Sequence, residues 1–70
     1  MSIRVMVIDD EPLARLGIVA RLQAYSDMQV VAECGTGEEA LHAIPNASPD
    51  LIFVDIEILS IEAAAGNADD

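Results

Sequence analysis

The chain opens on a nearly unbroken apolar run, "IRVMVI" at residues 3 to 8. A strand covered on both faces reads this way, because neither side must stay polar. "DDEP" follows. Pro12 suits the first position of a helix, and the acids before it suit the positive end of the helix dipole. The spacing predicts a helix running to about Tyr25. Leu13, Leu16, Gly17 and Ala20 share one face, and Ile18, Leu22 and Tyr25 widen that stripe. Serine and aspartate then break it. "MQVVAE", residues 28 to 33, reads as a second short strand. Thr36 and Glu39 have the spacing of a capping box ahead of Ala40, Leu41 and Ile44, and this second helix is expected to stop before Pro45. "DLIFVD", residues 50 to 55, is the third strand. The tail is rich in alanine and glutamate, and it predicts a helix from about Glu57 to Ala65, capped by Gly66.

The order is therefore β-α-β-α-β, with a further helix in the tail. Helical periodicity between buried strands implies an α/β fold with a parallel sheet and right-handed crossovers. In a flavodoxin-like sheet of this kind the strand order is 2-1-3. Ligands bind beyond the carboxyl ends of the strands, where the order switches. Asp9 and Asp10 end the first strand and Asp55 ends the third, so the fold brings these carboxylates to one place, with Glu11 and Glu57 close by. Taken alone, Asp-Asp-Glu suits a helix N-terminus and Asp55 suits a strand-ending turn. Together, at the switch point, they point to a site. Carboxylates this close either keep a proton among them or hold a cation. Hard oxygen donors in an open loop favour Mg²⁺ over a soft metal.

Composition narrows the partners. Thirteen acids face three arginines with no lysine, a formal net charge of −10. Phosphate backbones are held by Lys and Arg, so nucleic acid is not expected as a direct partner. The apolar start is too short for a signal peptide or a membrane span. Cys34 is the sole cysteine, which suits a reducing cytosol and a cytoplasmic location. Cys34 and His42 read as a packed thiol and an exposed helix residue. Met6 and Met28 read as core, and Arg15 and Arg21 as partners of helix-surface acids. Apolar residues make up 53% of only 70, enough to leave apolar surface uncovered on a single copy and to favour association.

Three blocks in order, "VMVIDDEPLAR", "VVAECGTGEEAL" and "PDLIFVDIE", resemble the first half of a response-regulator receiver domain. Their phrasing is closest to receivers that precede DNA-binding output domains of the LytTR type. The resemblance implies a signalling module of the two-component phosphorelay rather than an enzyme. It implies that Asp55 accepts phosphate from a histidine of a sensor kinase. It also implies that Asp9, Asp10 and Asp55 hold Mg²⁺, joined by the backbone carbonyl of Glu57.

Beyond Glu57 the family pattern stops. The Met-Pro turn, the fourth strand with its Ser or Thr, and the fifth with its Lys have no counterpart, so residues 1–57 read as a partial receiver and 58–70 as a divergent tail. The expectation is weak Mg²⁺ binding and slow or absent phosphotransfer. The open edge of the third strand, the face of the first helix, or a swapped tail would then join two copies into a homodimer. A full-length receiver is a further possible partner. The competing readings are an interaction module that is not phosphorylated, and a fragment or frameshifted remnant without function.

Overall fold

The computed structural model describes residues 1–55. The tail helix expected over 57–65, and Glu57 itself, lie outside the described residues. Within them the order is β1 (Ile3–Ile8), α1 (Pro12–Gln23), β2 (Met28–Cys34), α2 (Gly37–Ala47) and β3 (Leu51–Val54). The sheet is parallel throughout, in the order β2-β1-β3. The fold is thus α/β in the flavodoxin-like order that the sequence predicts.

β1 is the central strand, and Val5, Met6 and Val7 are fully buried. Its alternate residues feed two cores. Val5 and Val7 pack with Val19 and Leu22 of α1. Met6 and Ile8 pack with Cys34 of β2 and Ala40 and Ala47 of α2. A register shift between Val5 and Met6 pairs Val5 with Val30 but Met6 with Ala32, which leaves one extra residue in β2. The bulge reverses the facing of the rest of that strand. Met28 and Val30 pack toward α1, whereas Ala32 and Cys34 pack toward α2.

Two expectations change. The sheet-facing side of α1 is Ile18, Val19 and Leu22, while Leu13 and Leu16 stand 76% and 63% exposed, and Gly17 and Ala20 share that open side. A β-carbon added at Gly17 would meet nothing within 4 Å. The helix carries two apolar stripes, and the fold buries the other one. Second, α2 does not stop before Pro45 but runs two residues past it. The proline removes one helical hydrogen bond, and the end is secured from outside. Arg4 donates from Nε and Nη2 to the Ala47 carbonyl, at 2.9 and 2.6 Å. Ser48 closes the helix in a left-handed conformation, its N–H donating to the Ile44 carbonyl.

The capping box at the other end of α2 forms with a variation. The Glu39 N–H donates to Thr36 Oγ1, but the Glu39 carboxylate accepts from the Gly35 N–H, one residue further upstream than the motif requires. β3 pairs only with β1 among the described residues, and its four side chains are each 37–40% exposed.

Candidate functional site: an acidic cluster at the carboxyl ends of β1 and β3

Two of the three carboxylates, those of Asp9 and Asp55, are placed by backbones tied to the sheet. The Asp9 N–H donates to the Cys34 carbonyl at the end of β2, and the Asp55 N–H donates to the Ile8 carbonyl at the end of β1. Each aspartate is thus the first residue past its strand, its backbone still held in the ladder while its side chain clears the sheet. One oxygen from each of Asp9, Asp10 and Asp55 lies within 4.8 Å of the others. These are the residues singled out from the sequence as ligands. The fourth residue singled out, Glu57, lies outside the described residues.

The cluster is graded from buried to open. Asp9 is 7% exposed, Asp55 is partly exposed and Asp10 is at the surface. Asp9 Oδ1 accepts from the Glu11 N–H at 2.9 Å, a two-residue turn that leads the chain into α1. Glu11 is the residue flanking α1 and makes no side-chain cap of its own, so the Asp9 carboxylate supplies the local hydrogen bond there.

The arrangement suits a hard divalent cation. All three donors are carboxylate oxygens, and their spacing is near the span of an octahedral Mg²⁺ coordination sphere, about 4 Å across. The open side at Asp10 leaves room for the water ligands that Mg²⁺ retains. When bound, Mg²⁺ would neutralise this concentrated negative charge and leave a coordination position for an oxyanion.

Two residues near the cluster hold roles that the sequence alone does not reveal. Arg15, expected to pair with helix-surface acids, instead donates from Nη1 to the main-chain carbonyl of Asp9 at 2.6 Å. Its Nε lies 3.8 Å from Glu33 Oε1 on β2, the one ion pair among the described residues. Arg21 forms none there. Glu39 closes the other flank by holding the Gly35 N–H. Cys34 is buried beneath these groups. Burial raises its thiol pKa first, the Glu39 carboxylate raises it further, and Arg15 opposes both. His42 is exposed on α2 and belongs to no group of potential metal ligands among the described residues.

A parallel sheet in this order, with paired acids after β1 and one after β3, defines a receiver. The family model for the response regulator receiver domain matches residues 5–63, and the chain belongs to that family. Receiver domains bind Mg²⁺ at an acidic cluster of this kind. The transcriptional regulatory protein BtsR of Escherichia coli (strain K12) is 41% identical over 56 residues, covering 80% of this chain and 23% of that protein. BtsR of Salmonella typhi matches to the same extent. The response regulator protein VraR of Staphylococcus aureus (strain NCTC 8325 / PS 47) is 39% identical over 56 residues, 80% of this chain and 27% of that one. The chain therefore spans about a quarter of the length of these relatives. No solved structure matches it. No helix among the described residues is long and apolar enough to cross a membrane.

Proposed function

We propose that this chain is a phosphoryl-accepting module of a two-component pathway, with Asp55 as the acceptor and Asp9, Asp10 and Asp55 as side-chain ligands of Mg²⁺. The backbone carbonyl of Glu57 completes the set. The observation that carries this reading is the convergence of three carboxylates within 4.8 Å at the carboxyl ends of β1 and β3. The donor is a phosphohistidine of a sensor kinase. Its N–P bond breaks as an Asp55 carboxylate oxygen forms the new O–P bond, and the imidazole nitrogen keeps the electron pair. Such transfers rest on positioning and charge neutralisation rather than on acid–base chemistry. The sheet supplies the positioning, since Asp55 is held through its N–H to Ile8.

The 70 residues contain no lysine, so the phosphoryl-holding lysine of the family has no equivalent among them. The test is Mg²⁺-dependent binding of beryllofluoride, a mimic of the acyl phosphate, followed by calorimetry. Saturable binding that Asp55→Asn abolishes supports the reading. Absence of binding at millimolar Mg²⁺ refutes it.

A second reading, a homodimeric interaction module, draws on the exposure of Leu51, Ile52, Phe53 and Val54. An uncharged apolar edge strand without Lys or Pro is prone to pair with another copy. Light scattering decides it: a dimer mass that Phe53→Lys returns to that of a monomer supports strand pairing, and a monomer for the unaltered chain removes it. A full-length receiver would be an alternative partner for the same edge. The lone buried Cys34 accords with a cytoplasmic setting.

A further inference from the structure

Arg15 sits in the second turn of α1 (Pro12–Gln23), on the side that faces the sheet. With Ile18, Val19 and Leu22 it forms a stripe at positions i, i+3, i+4 and i+7. Helical side chains lean toward the N-terminus of their helix. The guanidinium therefore reaches back past the start of α1 to the end of β1. There it meets the carbonyl of Asp9, which has left the β1 ladder and lies outside the hydrogen bonds of the helix.

We propose that Arg15 is a positioning residue of the acidic site: by holding the main-chain carbonyl of Asp9 it fixes the Asp9 carboxylate opposite Asp10 and Asp55. The inference rests on the proposed reading of that cluster as a Mg²⁺ site. Asp9 is gripped by three elements. Its N–H goes to the Cys34 carbonyl of β2, its Oδ1 accepts from the Glu11 N–H, and its carbonyl accepts from Arg15 Nη1. Only the last of these is made by a side chain outside the Asp9–Glu11 turn, so it is the one that substitution can remove cleanly.

The Glu33 contact does not explain the residue. At 3.8 Å, with the Glu33 side chain 49% exposed against 22% for Arg15, it is a surface pair of small worth. The 2.6 Å bond to the carbonyl is shorter, charge-assisted and part-buried. A bystander cation near a metal site would weaken Mg²⁺ binding by repulsion, whereas a positioning residue strengthens it. The two accounts differ in sign.

The test is a calorimetric Mg²⁺ titration of the full chain. Arg15→Met keeps the apolar stem and loses the donors, and its Mg²⁺ affinity falls about tenfold, as for other residues that orient a metal ligand. Arg15→Lys, with one donor retained, recovers most of that loss. Glu33→Gln leaves the affinity unchanged. Arg15→Met binding Mg²⁺ as tightly as the unaltered chain, or more tightly, overturns the positioning role while leaving the Mg²⁺ site standing. An unaltered chain that binds no Mg²⁺ overturns both. A second readout needs no variant. Coupling is reciprocal, so Mg²⁺ must shift and sharpen the Arg15 Nη1 resonance, that of the nitrogen bonded to the Asp9 carbonyl, in ¹⁵N spectra while those of Arg21 stay put. An unresponsive Arg15 resonance refutes the proposal, whatever the methionine variant does to folding.

Discussion

Removing one carboxylate from the cluster should stabilise the metal-free chain but bring no gain in Mg²⁺, and Asp10 is the residue on which to see it. Asp9 also caps the turn at Glu11, and Asp55 is the proposed acceptor, so changing either disturbs more than charge. Asp10 is exposed, and its carboxylate oxygen lies within 4.8 Å of one from each neighbour. At that separation two unit charges repel by about 1 kcal/mol in aqueous dielectric, and about half of that survives physiological salt. Asp10→Asn relieves two such pairs, a gain of about 1–2 kcal/mol. The helix dipole of α1 offsets about 0.5 kcal/mol of it, because a negative charge near the N-terminus is favourable. The metal-free variant should therefore be more stable than the unaltered chain by about 1 kcal/mol.

Mg²⁺ cancels that gain. A ligand at a hundred times its dissociation constant stabilises by about 2.7 kcal/mol, and a tenfold loss of affinity cuts that to about 1.4. The advantage of Asp10→Asn should then vanish in Mg²⁺. Urea unfolding followed by far-UV circular dichroism, in EDTA and in Mg²⁺, measures both differences. With a denaturant slope near 1 kcal/mol/M for so small a chain, the metal-free midpoint rises by about 1 M. Two results would refute the reasoning. One is a variant less stable than the unaltered chain in EDTA. The other is an equal Mg²⁺-induced shift for both proteins, meaning that the acids do not share a cation.

Other predictions follow from groups that the cluster leans on. Arg4→Met deprives the end of α2 of two charge-assisted bonds to Ala47 and should cost about 2 kcal/mol, read as a lower urea midpoint. Cys34 gives a pH dependence of definite sign. Burial, then Glu39, raise its pKa in the fold above the ordinary 9.0, so the folded chain keeps a proton that the unfolded chain releases. Its contribution is fully present below that value and is lost as pH rises through and beyond it. Stability should decline in alkaline buffer above pH 9.0, and Cys34→Ala should remove that part of the decline.

The order of elements, the parallel sheet and the meeting of Asp9, Asp10 and Asp55 were all readable from the sequence. Each depends on a strong local signal: an apolar strand run, a Pro at a helix start, an acid at a strand end. The extent of α2 was not readable, because the group that carries the helix past Pro45 is Arg4, more than forty residues earlier. Nor was the bulge in β2. A run of alternating apolar residues looks alike with or without a slip, yet the slip sends Cys34 beneath α2 and pairs Glu33 with Val7, on the side that faces α1.

The burial of α1 shows most plainly why local pattern could not decide. Residues 13, 16, 17 and 20 and residues 15, 18, 19 and 22 have the same helical spacing, and only the first set is wholly apolar or small. Hydrophobicity alone therefore selects the first. The structure buries the apolar members of the second, and its leading arginine reaches the end of the sheet. Its guanidinium finds the Asp9 carbonyl, and the bulge has turned Glu33 to meet it. The three apolar residues behind it then fall onto Val5 and Val7. A charged residue in a sheet-facing stripe counts against burial only when it lacks a polar terminus to reach, and the carboxyl ends of parallel strands supply such termini. The same rotation leaves Leu13 and Leu16 facing away from the sheet. The orientation of α1 thus serves the hydrophobic core and the Arg15–Asp9 bond together.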